Sequence, residues 1–235
     1  RRPPRSTPKP SSAASDVYKR QEYIPTPPRD KSKPPLMYTA RSFDVNKPGI
    51  KPEELKGGVI GGSLKQGVLR VGDSIEIRPG KKVEEHGKVR YEPIYTEIAS
   101  IITGGEMVEE AGPGGLLGIG TYLDPSLTKA DALAGKVIGK EGKLPPVFYE
   151  LEMNINLLQR IVGEKEKKRM DEIRVNEPLM LTVGTATTVG IVKHIKKDYM
   201  EVSLKIPVCA EKGQRVAISR NIMGRWRLVG YGEIK

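Results

Sequence analysis

The strongest constraint on the fold is an alternation of apolar and polar side chains with a period of two residues. It is clearest in FYELEMNINL, residues 148–157, where Tyr149 and Leu151 alternate with Glu150 and Glu152. This period is typical of a β-strand that buries one face. Comparable short runs occupy residues 37–45, 74–78, 94–103 and 116–123, with glycine or proline turns between them. Short, evenly spaced strands of this kind predict closed antiparallel barrels.

Proline and glycine divide the chain into three segments. Residues 1–33 are rich in proline, serine and arginine and are predicted to form a disordered extension and linker. A second group of prolines in GKLPPVFYE, residues 142–150, predicts a boundary between a β-barrel over residues 34–144 and another over 145–235. The predicted fold class is therefore all-β, with two consecutive antiparallel β-barrels after a disordered N-terminal segment.

The net charge of +11 is unevenly distributed. Residues 1–21 carry six Lys and Arg residues against one Asp, so nearly half of the excess lies in that segment. Two interpretations of residues 1–21 stay open: a basic arm that contacts nucleic acid, or a linker or non-native sequence. The remaining excess permits contact with a polyanion without requiring it.

Composition and motifs argue against several functional classes. The sequence holds one cysteine, Cys209, which rules out an internal disulfide framework and favours a cytoplasmic setting. No apolar run reaches about 18 residues, so no contact with a membrane is predicted. GKVIGKEGK, residues 135–143, lacks the spacing of a phosphate-binding loop and is predicted to be a strand and turn. The expectation is no catalytic residue, no metal ligand, no nucleotide-binding residue and no cofactor in this chain.

Glycine pairs interrupt one strand-like run, GGVIGGSL, at residues 57–64. Glycine weakens a strand, and it usually marks a bulge, a barrel corner or a surface that another molecule approaches closely. The pairs Gly57–Gly58 and Gly61–Gly62 therefore predict either a tight corner or a binding surface, and both possibilities stay open at this point.

Six separated motifs carry a resemblance to a known family. They are RSFDVNKPG (41–49), GGVIGGSL (57–64), the GVLRVGD and RPG segments within 67–80, GPGGLLGIGTYLDPSLTKADALAGKVIG (112–139), QRIVG (159–163) and AISRNIMGRWRLVGYGEI (217–234). Together they resemble the gamma subunit of translation initiation factor 2, of archaeal type. The resemblance covers residues 22–235 and implies barrels like domains II and III of elongation factor Tu.

The resemblance also implies what this chain lacks. Residues 22–33 resemble the end of the family's GTPase domain, whereas residues 1–21 do not resemble the family. The full-length family is a GTPase that uses GTP and magnesium, but its nucleotide-binding motifs are missing from this chain. The chain by itself is therefore expected not to be an enzyme.

The family binds methionylated initiator tRNA in a GTP-dependent manner and delivers it to the small ribosomal subunit. The resemblance implies an alpha subunit bound through domain II and a beta subunit bound through the GTPase domain. It also implies that the first barrel contacts the acceptor end of the tRNA. The candidate tRNA-binding residues are Gly57, Gly58, Gly61, Gly62, Asp131, Arg41 and Lys56.

Structural roles are the alternative for these candidates: the glycines could turn a barrel corner, and Asp131 could cap a turn. Two alternative functions also stay open. One is part of another tRNA-delivering GTPase, similar to the selenocysteine-specific elongation factor. The other is a generic double-barrel RNA-binding protein.

Overall fold

The computed structural model describes residues 29–158 and 172–235. The disorder predicted for residues 1–33 therefore falls almost entirely outside the described residues. The described part of the chain contains strands and three short 3-10 helices, at Pro52–Glu54, Pro125–Leu127 and Lys129–Asp131, and no α-helix.

Nine strands belong to the first barrel and its edges. They are β1 (Leu36–Phe43), β2 (Val59–Gln66), β3 (Leu69–Arg70), β4 (Ser74–Glu85), β5 (Lys88–Thr103), β6 (Glu106–Val108), β7 (Glu110–Ala111), β8 (Leu117–Thr121) and β9 (Val137–Lys140). Six of them close a barrel in the order β4-β9-β1-β2-β8-β5, because the long β5 pairs with β8 near its end and with β4 near its start. Every pairing in it is antiparallel.

The second barrel uses the remaining six strands. They are β10 (Val147–Leu157), β11 (Pro178–Val183), β12 (Ala186–Lys196), β13 (Tyr199–Cys209), β14 (Arg215–Ile222) and β15 (Arg225–Ile234). They close in the order β10-β13-β12-β11-β14-β15, with antiparallel pairing throughout. The prediction of an all-β chain with two consecutive antiparallel barrels is confirmed.

Period-two patterning fills both barrel interiors. In β10, Leu151 and Met153 are fully buried, while Glu150 and Glu152, which alternate with them, are exposed. In β2, Ile60 and Leu64 point inward in the same way. Burying a side chain of this size contributes roughly 1.5–3 kcal/mol, so the alternation is the main source of stability for each barrel. Trp226 lies on the outside of β15, and 39% of its surface is exposed.

The two barrels meet through a small apolar cluster and several polar contacts. Leu36, Val137 and Leu144 pack against Cys209, and burial raises the pKa of the Cys209 thiol to about 12. Arg78 donates to the carbonyl oxygens of residues 144 and 145, and its other partner is the buried carboxylate of Glu76. An ion pair of 2.9 Å joins Lys65 to Glu211 across the junction. These contacts fix the second barrel against β1, β2, β4 and β9 of the first.

Candidate functional site

The candidate glycines lie on or beside β2, and packing requires three of them. A Cβ at Gly57 would overlap the carbonyl oxygen of Thr121, and one at Gly62 would overlap the carbonyl oxygen of Tyr38. A Cβ at Gly58 would overlap the side chain of Thr128. Backbone in a paired strand has little room to shift, so these three positions admit glycine for structural reasons.

Gly61 is different, because no neighbour occupies the space above it. An added Cβ would lie 3.8 Å from the nearest atom, the Cβ of Arg41, which is an ordinary van der Waals contact. The same holds for Gly118 on β8, where the nearest atom lies at 3.9 Å. Gly61 and Gly118 are cross-strand partners, so two side-chain-free residues lie directly beside each other on the outside of the barrel.

These two glycines form the floor of a trough on the barrel surface. Successive outward positions along β8 and its flanks are Leu116, Gly118, Gly120 and Tyr122, and the first and last are 75% and 72% exposed. At about 3.3 Å per residue, the two large side chains stand about 20 Å apart with glycine between them. We call this surface, defined by Gly61 and Gly118 with Leu116 and Tyr122 at its ends, the glycine trough. At Gly120 the Ser100 side chain takes up part of the space, since an added Cβ would lie 2.5 Å from Ser100 Oγ.

The sides of the glycine trough come from the neighbouring strands. Arg41 on β1 lies beside Gly61, and Ile102 on β5, which is 43% exposed, lies beside Gly118. Adjacent strands are separated by about 4.8 Å, so the distance from Arg41 across the trough to Ile102 is about 14 Å. A flat group can therefore approach the β2 and β8 backbones between a cationic side and an apolar side.

Arg41 and Asp131 form an ion pair at the edge of this trough. The Arg41 Nε donates to Asp131 Oδ1 at 2.9 Å, and the Ser42 backbone N–H donates to the same oxygen at 3.0 Å. These two interactions, the backbone hydrogen bond first, hold the pKa of Asp131 below its ordinary value. Across residues 29–158 and 172–235, no group donates to Oδ2. The partly exposed carboxylate thus anchors the chain through one oxygen and can accept a hydrogen bond on the other.

The turn that presents Asp131 has an unfavourable backbone conformation. Ala130 and Asp131 both have positive φ, at 54° and 59°. Alanine adopts this region at a cost of roughly 1–2 kcal/mol, whereas aspartate tolerates it better. Two hydrogen bonds to Ser42 hold the turn in place: its N–H donates to Asp131, and its Oγ accepts from the Leu133 N–H at 3.0 Å. Such strain is found where the surrounding structure determines the position of a side chain.

Lys56 stands at the entrance to β2. Its backbone N–H donates to Asn46 Oδ1 at 2.8 Å, and its carbonyl accepts from Asn46 Nδ2 at 2.7 Å. This pair of bonds closes the loop between β1 and β2 and fixes where the exposed lysine side chain begins. The structure therefore places Lys56 next to Gly57, at the end of β2 that is also nearest Phe43 and Tyr122.

Of the predicted site residues, Gly61, Arg41 and Asp131 are brought together at one edge of the trough, with Lys56 at its end. Gly57, Gly58 and Gly62 are taken up by packing. Sequence reasoning missed Gly118, Gly120, Leu116 and Tyr122. A signal was present, because glycine occupies alternate positions of LLGIGTYL between two large side chains.

Comparisons with known proteins agree with this architecture. The family model described as "Initiation factor eIF2 gamma, C terminal" matches residues 149–234, which is the whole second barrel apart from its first residues. The translation initiation factor 2 subunit gamma of Pyrococcus horikoshii is 60% identical over 215 residues, covering 92% of this chain and 52% of that protein. The corresponding protein of Methanothermobacter thermautotrophicus is 57% identical and is covered to 53% of its length.

Over 92% of its length, this chain is similar to gamma subunits of translation initiation factor 2. It spans about half the length of the curated relatives it matches. The similarity to the Pyrococcus protein extends well beyond the second barrel. The 215 aligned residues are more than twice the length of that barrel.

A solved structure shows the same arrangement of barrels at much lower sequence similarity. The bacterial selenocysteine-specific elongation factor EF-Sec matches with a TM-score of 0.66 and 18% identity, over 95% of this chain and 31% of that chain. At this identity the match bears on the fold alone. Both barrels and their relative placement are thus a known architecture.

Two kinds of feature are missing from the described part of the chain. Within residues 29–158 and 172–235, no helical segment has the length and apolar character needed to cross a membrane. Over the same ranges, no three His, Cys, Asp or Glu side chains gather closely enough to hold a metal ion.

Proposed function

We propose that this chain is the part of an initiation factor 2 gamma subunit that holds the acceptor end of methionylated initiator tRNA. The glycine trough receives the unpaired 3′ end, with its bases or ribose against the exposed backbone of β2 and β8. The observation that carries the proposal is the open pair Gly61–Gly118, since packing gives no reason for glycine at either position.

The chemistry of the trough suits a single-stranded RNA end. Proteins recognise unstacked bases by stacking on aromatic side chains and by hydrogen bonds to ribose hydroxyls. Tyr122 offers an exposed ring, Asp131 Oδ2 offers an acceptor for a ribose hydroxyl, and Arg41 and Lys56 offer cations to phosphates. Similarity to these gamma subunits supports initiator tRNA as the ligand, because the relatives at 57–60% identity are translation initiation factors.

In the complete protein, the proposal extends to GTP-dependent delivery of this tRNA to the small ribosomal subunit. GTP and magnesium would be bound by a GTPase domain that is separate from the two barrels, and this chain itself would catalyse nothing. The first barrel would contact the alpha subunit, and the GTPase domain would contact the beta subunit. Each partner follows from the family and awaits its own binding measurement.

The test of the trough is the affinity of the full gene product for methionylated initiator tRNA after Gly61→Val. A valine at this position suits a strand and fills open space, so it should leave folding intact while it blocks the trough. We expect the dissociation constant to rise at least about tenfold, which corresponds to about 1.4 kcal/mol. Nitrocellulose filter binding at fixed salt measures it.

Ala217→Val is the matched control, because it places a valine side chain at an outward position of β14 on the second barrel. It should leave the dissociation constant unchanged. Equal affinity of the wild-type and Gly61→Val proteins would refute the trough as the binding surface. A preference for selenocysteinyl-tRNA over initiator tRNA would instead support the alternative function, that of a selenocysteine-specific elongation factor.

A further inference from the structure

A second concave surface lies between the two barrels, separate from the glycine trough. It is a cleft of about 380 Å³, near the lower end of the range of roughly 300–1,000 Å³ that small-ligand pockets occupy. Its walls are the β4–β5 ribbon and the turn at residues 132–136 on one side, and the ends of β12 and β13 on the other. At its floor the barrels nearly touch, since a Cβ at Gly135 would lie 2.9 Å from the Cα of Ala186.

The charge in this cleft is of one sign. Lys81, Lys82 and Lys136 line it, and none of its described lining residues is Asp or Glu. Hydroxyl groups of Ser126 and Thr187 also line it, and both residues are exposed. Lys82 has a carboxylate within reach, Glu84 at 3.5 Å, but both of those side chains are more than half exposed. The cleft therefore combines cations and hydroxyl donors without a carboxylate on its wall.

Lys136 is the unusual member of this group. Its side chain is half-buried, and it forms no ion pair or side-chain hydrogen bond with any residue of 29–158 or 172–235. Burial lowers the pKa of its ammonium group, and no nearby charge opposes that shift. Taking a cation out of water without a partner is unfavourable, and buried charges are normally paired. A half-buried lysine without a partner among the described residues, on the wall of a cavity without carboxylates, is a site that an anion would complete.

We propose that the inter-barrel cleft is a binding site for a phosphate group, with Lys136 as its central contact and Lys81 and Lys82 at its mouth. Phosphate matches the site because it carries a compact negative charge and several oxygens that accept from ammonium and hydroxyl groups. Lysine binds phosphate as a point charge and needs no planar geometry. The site does not rest on the function proposed for the glycine trough, because the two surfaces share no residue.

The proposal is tested by titrating the 15N-labelled 235-residue chain with sodium phosphate and following backbone amide signals by NMR. We expect saturable shifts confined to the cleft, at Gly135, Lys136 and Thr187. Lys136→Met keeps the length of the side chain and removes its charge, and it should weaken phosphate binding about tenfold, as expected for loss of one charged hydrogen bond. Absence of a saturable shift at these amides would overturn the proposal.

Lys193→Met is the control, since Lys193 is an exposed lysine of β12 outside the cleft. It should leave phosphate binding unchanged. Equal weakening by Lys136→Met and Lys193→Met would show only general attraction to a basic protein and would also overturn the site. If Lys136→Met does not fold, the double variant Lys81→Met/Lys82→Met replaces it, with a loss of at least about threefold expected.

A second titration identifies the source of the phosphate. A short single-stranded RNA should compete with phosphate if a nucleic-acid backbone occupies the cleft. In that case the slope of log binding constant against log salt concentration should be shallower by about 0.7 in Lys136→Met than in the wild type, which corresponds to the loss of one phosphate contact. Phosphate binding that RNA does not displace would assign the cleft to a small phosphorylated ligand. The Gly61→Val variant should bind phosphate normally in either case, which separates this site from the trough.

Discussion

The two barrels differ in whether packing requires every one of their strand glycines. In the second barrel, neighbouring atoms occupy the space where a side chain would lie at each strand glycine. An added Cβ at Gly190 would lie 2.5–2.9 Å from Val202 and Leu181, and one at Gly232 would lie 2.8 Å from Met153. In the first barrel, Gly61 and Gly118 face open space. Strand glycine thus reports close packing throughout the second barrel, whereas at Gly61 and Gly118 of the first barrel it reports an uncovered backbone surface.

This difference separates structural from functional glycine without reference to any ligand. A glycine that packing requires cannot be replaced whatever the protein binds. A glycine that packing does not require, on a strand where side chains would otherwise stabilise the sheet, costs stability and calls for another explanation. By this criterion the strand glycines of the second barrel are structural, and the first barrel carries the two glycines that packing leaves unexplained, Gly61 and Gly118.

The largest effect is expected where packing forbids a side chain. Gly62→Ala should lower the free energy of unfolding by about 3 kcal/mol, because the new Cβ overlaps a carbonyl oxygen of the paired strand β1. Gly190→Ala should cost less, about 1–2 kcal/mol, because it meets side-chain methyl groups that can move. Urea unfolding measures both, and a larger loss for Gly190→Ala would break the distinction between backbone and side-chain obstruction.

An intermediate effect is expected at the strained turn beside the trough. Ala130→Gly should raise the free energy of unfolding by about 1 kcal/mol, since glycine adopts positive φ without the steric cost of a Cβ. The second barrel offers a comparison at Asn176, which also has positive φ, at 66°. Asn176→Gly should gain less than Ala130→Gly, because asparagine tolerates this conformation. Thermal and urea unfolding give both values.

A small effect is expected at the open glycines. Gly61→Ala and Gly118→Ala should each change the free energy of unfolding by no more than about 0.5–1 kcal/mol, in the stabilising direction, because alanine restricts the unfolded chain and meets no obstruction. Urea unfolding again provides the measurement. A loss comparable to that of Gly62→Ala would mean that packing requires these glycines after all, and the trough would lose its explanation.

The smallest effect concerns pH. The pKa of Asp131 is lowered by Ser42 and Arg41, so its contribution to stability is present above the unfolded value of about 3.9 and is lost as pH falls through the folded pKa. Wild-type protein should therefore have a slightly higher unfolding temperature than Asp131→Asn at pH 7, and the gap should narrow as pH falls below the unfolded value. A gap that stays constant from pH 7 to pH 3 would show that the charge of Asp131 plays no part.

Sequence patterning predicted the barrels because strand faces depend on local alternation, as in residues 148–157, where every second side chain of the central part is buried. The strand and turn predicted at residues 135–143 also agree with β9 and the turn that follows it. In both places the determining residues are neighbours in sequence. The pattern of neighbouring residues was therefore enough to predict these elements.

The roles of individual glycines could not be predicted, because the group that decides each one lies far away in sequence. Thr128 excludes a side chain at Gly58, and Tyr38 excludes one at Gly62. The partners of Asp131 are likewise on β1, some 90 residues earlier. Family resemblance pointed to the stretch of chain that holds Gly61, but separating Gly61 from its neighbours required the cross-strand register. Nothing in the sequence marked Lys136, whose lack of a partner among the described residues depends on how the two barrels meet.

The most direct measurement of the central claim is a photo-crosslink from the 3′-terminal adenosine of initiator tRNA. An azide-bearing terminal adenosine, bound to the full gene product with GTP present, should crosslink to the outward positions of the glycine trough, within residues 59–63 or 116–122. Mass spectrometry of the crosslinked peptide identifies the position. Crosslinks found only on the second barrel, with none on β2 or β8, would contradict the account.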